Sequence, residues 1–245
     1  MNFKDIFQVE KPVIGMLHLG GYGKENIYEN ARLEIEQMYS NGVDAILVED
    51  YFGDVYDVER ALAYLQQNYS DKVYGVNILG DFALSYRMAK KYGAAFMQAD
   101  SVCGHLRPER DKQYAEFISS VTCDGSVFVL GGVRFKYQPV LSGRSVEEDL
   151  KLGMERCNAI VVTGEGTGVN TDIEKIKEFR EIIGDFPLIV GAGMTRASCR
   201  EQLAVADGAI VGSWFKQHGS AEYPVDPQRV RDFMDEVKSL RDETA

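Results

Sequence analysis

Two apolar runs late in the chain stop abruptly at glycine. Pro187–Val190 opens into Gly191-Ala192-Gly193, and Gly208–Val211 opens into Gly212-Ser213. Without a Cβ, glycine reaches positive φ at no steric cost and lets backbone N–H groups come close to a ligand. Two such turns side by side make a nest of amides suited to a small anion such as phosphate. Gly-x-Gly also arises wherever a strand must turn tightly into a helix. It is the repetition at two successive run ends that favours phosphate.

Other apolar runs stop at residues that carry proton or charge chemistry. His18 follows VIGML and could act as a base or a ligand. Glu49 follows AILV, where desolvation would raise its pKa toward the working range of a general acid or base; pairing with Lys136 or capping a loop amide is the structural alternative. Asp50, next in line, faces the other way and reads as structural. Asn77 shares its alternation with Val73 and Gly75, a small residue that would make room for it. It can orient a hydroxyl or stabilise an oxyanion, or serve as a hydrogen-bonded core amide, and Asp100 after AFMQA carries the same ambiguity. Lys136 could neutralise a phosphate or an enolate, form a Schiff base, or simply lie solvated in a loop.

Thr163 ends a further run and leads into Gly164-Glu165-Gly166-Thr167-Gly168. This G-x-G-x-G lacks the register and the distal acid of a dinucleotide fingerprint, so it reads as a ligand-covering loop with Glu165 and Thr167 as contacts, and no cofactor is expected. A metal site from His18, Glu49 and Asp100 is disfavoured, because the only other histidines, His105 and His218, have no ligand-like spacing.

The elements that must hold these residues are legible from periodicity. Strands are expected at Val13–His18, Asp44–Glu49, Val73–Leu79, Ala95–Asp100, Ser126–Val133, Ala159–Thr163, Pro187–Val190 and Gly208–Val211. Asp44–Glu49 is apolar on both alternating faces, as suits a parallel strand buried on two sides. Helical patterns lie between the strands: about Ile27–Ser40, about Asp57–Asn68, Phe82–Tyr92 with Gly93 as stop, and one starting near Pro108. Capping boxes at Ser145/Glu148 and Thr171/Glu174 open two more, Thr195 caps Arg196–Val205, and Asp226-Pro227 opens the last. Phe3, Ile6 and Phe7 form one face of a short leading helix, and Gly20-Gly21-Tyr22-Gly23 a flexible connection. Eight strands alternating with helices favour a closed (β/α)8 barrel over an open doubly wound sheet, and put the run ends above at its ligand-binding mouth. No composition break divides residues 1–245, so a single TIM-barrel domain is expected.

The bulk numbers exclude several partners. With 27 basic and 38 acidic residues the formal charge is −11, which argues against nucleic acid and anionic membranes. The four cysteines contain no C-x-x-C pair, as suits thiols in a reducing compartment. The charged start MNFKDIFQVEK has no signal core and no run is long enough to insert in a membrane, so the protein is expected in the cytoplasm. Whether it forms a homo-oligomer stays open.

The segments KPVIGMLHL (Lys11–Leu19), GVDAILVEDYFGD (Gly42–Asp54), GVNIL (Gly75–Leu79), IVVTGEGTG (Ile160–Gly168), LIVGAGMT (Leu188–Thr195), ADGAIVGSWFK (Ala206–Lys216) and PVDPQRVRDFM (Pro224–Met234) together resemble the BtpA/SgcQ family, nearly end to end. The resemblance implies a TIM barrel of the ribulose-phosphate-binding kind. By motif position it implies site residues at His18, Glu49, Asn77, Lys136, Thr163, Gly164, Thr167 and Gly168, with Gly191, Gly193, Gly212 and Ser213 at the phosphate end. The chain departs from the family pattern in the short, proline-free stretch after His18, and in Gln98 and Asp100 where Arg and Asn are expected. The family takes one of its names from photosystem I biogenesis, and most members are described only as TIM-barrel enzymes. Two functional expectations follow. One is an isomerase or lyase acting on a small phosphorylated metabolite, a sugar phosphate or nucleotide-like compound, with Glu49 as acid/base and Asn77 and Lys136 stabilising negative charge. The other is a non-catalytic assembly or regulatory factor that keeps the phosphate pocket.

Overall fold

Each apolar run becomes a strand of one parallel sheet, because the helix that follows it covers its outer face and carries the chain back to the same end. The computed structural model describes residues 1–20 and 26–244. The strands are β1 (Val13–Leu17), β2 (Ala45–Glu49), β3 (Val73–Asn77), β4 (Phe96–Cys103), β5 (Phe128–Val133), β6 (Ala159–Val162), β7 (Leu188–Val190) and β8 (Gly208–Val211). They pair in sequence order and close on themselves through β1 and β8, with Val13 opposite Ala209. The protein is a (β/α)8 barrel with a short N-terminal helix, α1 (Phe3–Ile6). The outer helices are α2 (Ile27–Ser40), α3 (Val55–Asn68), α4 (Phe82–Tyr92), α5 (Pro108–Val121), α6 (Val146–Met154), α7 (Ile173–Ile183), α8 (Cys199–Val205) and α9 (Pro227–Thr244). Of the connection expected at Gly20–Gly23, all but Gly20 lies outside the described residues.

Strand alternation sorts the core into two layers. Inward-facing Ile14, Met16, Ala45, Leu47, Val161 and Ile210 form an inner cluster with Ile6 and Phe7 of the N-terminal segment. The outward-facing Leu17, Val48, Val76 and Val162 pack against the helices. At the amino-terminal end of the barrel Phe7 lies 5.5 Å from Phe96 and Phe3 lies 6.2 Å from Phe128, ring centre to ring centre, so aromatic side chains plug that end.

Several local expectations need correction. Gly75 does not make room for Asn77; a Cβ there would lie 2.4 Å from the Phe96 ring, so the missing side chain admits the aromatic plug. Strand β4 does not stop at Asp100 but runs to Cys103, with a register shift against β5 between Ala99 and Cys103. Such a bulge re-aims the side chains within it. Helix α3 starts two residues early because Asp54 accepts from the amides of Tyr56 and Asp57. Thr171 caps nothing: Asp172 takes the Glu174 amide at 3.0 Å, while the buried Thr171 hydroxyl donates to the Ala192 carbonyl at 3.0 Å. Helix α8 begins at Cys199, since Thr195 to Ser198 form a turn closed by Cys199 N–H on the Thr195 carbonyl. The Ser145/Glu148 box forms as expected.

After β8 a 3₁₀ turn, Ser213–Phe215, leads to Lys216. Lys216 Nζ donates to Glu34 Oε2 on α2 at 2.6 Å, both groups being buried, and the other carboxylate oxygen takes the Val225 amide. Removing one member of such a pair leaves a buried charge uncompensated, at about 3–5 kcal/mol. The pair therefore anchors the segment just beyond the last glycine turn.

Candidate active site

The inner alternation, continued one step toward the carboxyl ends of the strands, predicts the floor of the mouth. Two residues beyond Met16, Leu47, Val161, Ile189 and Ile210 stand His18, Glu49, Thr163, Gly191 and Gly212. Register brings Glu49 level with Asn77 on β3. His18, Glu49, Asn77 and Thr163 are all buried.

Glu49 sits in a chain of polar groups. Asn77 Nδ2 donates to Glu49 Oε1 and to Asp100 Oδ1, each at 3.0 Å, and Gln98 Nε2 donates to the same Asp100 oxygen at 3.3 Å. Burial raises the Glu49 pKa to about 8, with the Asp100 charge pushing the same way and Lys136 and the Asn77 hydrogen bond opposing it. Near neutral pH the group is thus mostly a carboxylic acid, poised to give or take a proton. The Asn77 amide is spent on two carboxyl groups, so it positions them and is not free to face an oxyanion.

His18 is held well below its usual pKa, chiefly by burial and further by the nearby Lys216 and Lys136 charges. Its ring is neutral, and Nδ1 has no hydrogen-bond partner among the described residues. Gly212 is glycine because of it: a Cβ there would lie 2.7 Å from His18 Cε1. Lys136 is fixed at its backbone by the Thr163 hydroxyl, which accepts its N–H at 2.8 Å, and Nζ donates to Thr167 Oγ1 at 3.2 Å. Among the described residues it forms no ion pair with a carboxylate, so the pairing with Glu49 considered from sequence is not made. Leu19, Arg134 and Tyr137, in the loops beside His18 and Lys136, have φ of 53°, 49° and 61°. Side chains rarely adopt that region, at a cost of about 1–3 kcal/mol each, and such strain clusters at functional sites.

The two glycine turns line the same cavity. Gly191, Ala192, Gly193, Gly212 and Ser213 share about 520 Å³ of space, counted to its open mouth, with His18, Glu49, Lys136, Thr167 and Gly168. Among the described residues the amides of Gly193, Met194, Ser213 and Trp214 have no protein acceptor. The reason for glycine at 193 is nevertheless local. Its φ is +67° and a Cβ would lie 2.0 Å from the Val169 carbonyl, so it lets the loop after β6 fold onto the turn after β7. Gly164 has a similar role against Val169 and Asn170.

Not every predicted residue reaches the cavity. Thr163 acts through the Lys136 backbone, and Asn77 and Asp100 line a neighbouring cavity. Glu165 is exposed, its charge felt by Lys175. Met194, Thr195 and Trp214 line the first cavity and were missed, although they directly follow the glycine turns. Among the described residues no three His, Cys, Asp or Glu side chains gather as a metal site, and no helix is long and apolar enough to cross a membrane.

Comparison with known proteins agrees with this architecture. The model of the BtpA family matches residues 9–239. An uncharacterised protein of Methanocaldococcus jannaschii is 27% identical, the match covering 95% of this chain and 97% of that one. The photosystem I biogenesis protein BtpA of Synechocystis is 24% identical over 96% of this chain and 91% of its own. The sgc region protein SgcQ of Escherichia coli is 24% identical over 97% and 98%. Among solved structures, a native KDPGal structure superposes with a TM-score of 0.66 at 14% identity, covering 98% of each chain. The (S)-3-O-geranylgeranylglyceryl phosphate synthase of Thermoplasma acidophilum, solved with sn-glycerol-1-phosphate, gives 0.65 at 13% identity over 98% of this chain and 99% of that one. At such identities the structural likeness concerns the fold.

Proposed function

The chain belongs to the BtpA family, and we propose that it is an enzyme acting on a small phosphorylated metabolite by acid/base chemistry of the isomerase or lyase kind. One observation carries this reading: a single cavity joins the glycine turns after β7 and β8 to Glu49, Lys136 and His18. The unpartnered amides at the turns suit the phosphate, as in other (β/α)8 barrels. Glu49, with its pKa near 8, transfers a proton at the carbon or oxygen beside a carbonyl. The Lys136 ammonium stabilises the negative charge that develops there, and neutral His18 supplies a hydrogen bond. Asn77, Asp100 and Thr163 position these groups. The geranylgeranylglyceryl phosphate synthase solved with sn-glycerol-1-phosphate lends support by analogy of fold.

The test is calorimetric titration of inorganic phosphate and a panel of sugar phosphates, with product analysis, on wild type, Ser213→Asp and Ser213→Asn. Ser213 is preferable to Gly193 as a target, because any side chain at Gly193 collides with the loop after β6. A carboxylate at position 213 should weaken phosphate binding by about tenfold or more, and the neutral amide far less. Equal affinity in all three proteins would overturn the phosphate site. The second reading, a non-catalytic factor using the pocket as a sensor, is favoured by the name of the Synechocystis relative. Phosphate binding without turnover of any compound, unaltered by Glu49→Gln, would select it.

A further inference from the structure

The loop that carries Lys136 has no regular structure of its own, yet its two ends meet. It spans residues 134–145, between β5 and α6. Arg134, the first residue after the strand, donates from Nε to Asp149 Oδ2 at 2.9 Å and from Nη2 to the Arg144 carbonyl at 2.7 Å. Near the far end the Ser142 hydroxyl donates to the same Oδ2 and Arg144 Nε to Oδ1, each at 2.9 Å. Asp149 stands in the first turn of α6 and is fully buried. One carboxylate thus closes the loop from both sides, as in compact loops whose ends are drawn together and packed by their own side chains. The closed loop is also tied sideways. The Leu141 and Ser142 amides donate to the Gly104 carbonyl, and Arg144 pairs at 3.0 Å with Asp111 on α5, which Arg156 holds in turn.

Between its ends the backbone takes conformations that side chains rarely adopt. Arg134 and Tyr137, on either side of Lys136, have positive φ, which persists only where the surroundings over-determine it. For Arg134 those surroundings are Asp149 and the Arg144 carbonyl; for Tyr137 they include the Thr167 amide, which donates to its hydroxyl at 2.8 Å. The Lys136 ammonium, which donates to Thr167 Oγ1, takes its place from this backbone. Lys136 lines the cavity at the glycine turns, whereas Arg134, Ser142, Arg144 and Asp149 do not. A buried ion pair is seldom more stabilising than well-packed apolar side chains, and α6 has its own cap at Ser145. What the network supplies is a fixed shape for the loop.

We propose that Asp149 is the positioning residue for Lys136: by closing the loop after β5 it holds the ammonium at the cavity before any ligand arrives. This rests on the phosphate site argued above, at which Lys136 faces the bound anion, and adds to it a residue that lies outside the cavity. A cation already in place needs no ordering when the anion binds, so opening the loop should weaken phosphate through Lys136 alone.

The experiment is a double-mutant cycle on the dissociation constant of inorganic phosphate, with Asp149→Asn, Lys136→Met and the two combined, beside amide hydrogen exchange of the unliganded proteins. Lys136→Met should weaken phosphate by about tenfold and Asp149→Asn by about three- to tenfold, whereas the combined variant should bind within about twofold of Lys136→Met alone. Unchanged affinity in Asp149→Asn would overturn the inference. So would losses that multiply in the combined variant, because a merely structural carboxylate acts whether or not the lysine is there. Asp149→Asn should also speed exchange in residues 134–144 and 163–169 while the barrel strands stay protected; unaltered exchange in both loops would overturn the inference too. If Asp149→Asn does not fold, Arg134→Gln, which opens one end of the loop and leaves Asp149 paired with Arg144, goes through the same cycle with the same outcomes. Loosened loops in a protein that binds no phosphate at all would instead uphold Asp149 as the residue that places Lys136 and sink the phosphate reading.

Discussion

The two ends of the barrel interior are built from the same alternation of the same strands and solve opposite problems. At the amino-terminal end the inward positions carry Phe96 and Phe128, sealed by Phe3 and Phe7. At the other end they carry His18, Glu49, Asn77 and Gln98, equally buried yet polar. The closed end is organised by volume, down to a glycine at 75 that admits a ring. The open end accepts a carboxyl group desolvated enough to hold its proton near neutrality, and unpaired atoms on His18, Gln98 and Ser101. Local departures from good packing mark where a chain serves function over stability.

Substitutions at the two ends should therefore fail differently. The largest effect is expected at the open end: Glu49→Gln should lower turnover of the best phosphorylated substrate by about 10²–10⁴-fold with little change in its affinity, as steady-state kinetics and calorimetry would record. A loss below tenfold would move the proton transfer to another group. At the closed end Phe96→Ala should cost about 3–5 kcal/mol in denaturant unfolding while phosphate affinity in the folded protein is kept. If it weakened phosphate binding first, the two ends would not be independent.

The pH dependence of stability sharpens the same contrast. The Glu49 pKa rises from 4.5 to about 8 on folding, so the native state keeps a proton that the unfolded chain has already lost. Its contribution is full below about 4.5 and is lost as pH climbs toward 8. Between pH 5 and 8 Glu49→Gln should accordingly gain on wild type by about 3 kcal/mol, seen as diverging unfolding curves; parallel curves would place the native pKa near its ordinary value. The smallest effect belongs to neither end. Ser145→Ala removes only the cap of α6, and should cost about 1 kcal/mol without touching activity.

Much of this layout was readable in the chain. Apolar runs ending in His18, Glu49, Asn77 and Thr163 announce strands whose next inward position is polar, because period-two alternation carries through the strand end. The glycine turns announced the corner that the first cavity reaches. What periodicity does not carry is which loop folds onto which. Gly193 is explained by the loop after β6, and Thr171 holds that loop to Ala192 and is no helix cap. The β4 irregularity leaves no mark in composition, so Gln98 and Ser101 could not be recognised as unpaired acceptors. Glu165, one residue from the expected covering loop's start, turns outward for reasons that only the folded loop reveals.

The proposed chemistry requires an anion seated where the last two strands end. A crystal structure of the protein grown with millimolar inorganic phosphate tests it most directly. The expected result is phosphate within hydrogen-bonding distance of the amides of Gly193 and Ser213, on the side of the cavity facing Lys136. Phosphate bound only elsewhere, with those amides turned to water, would contradict it.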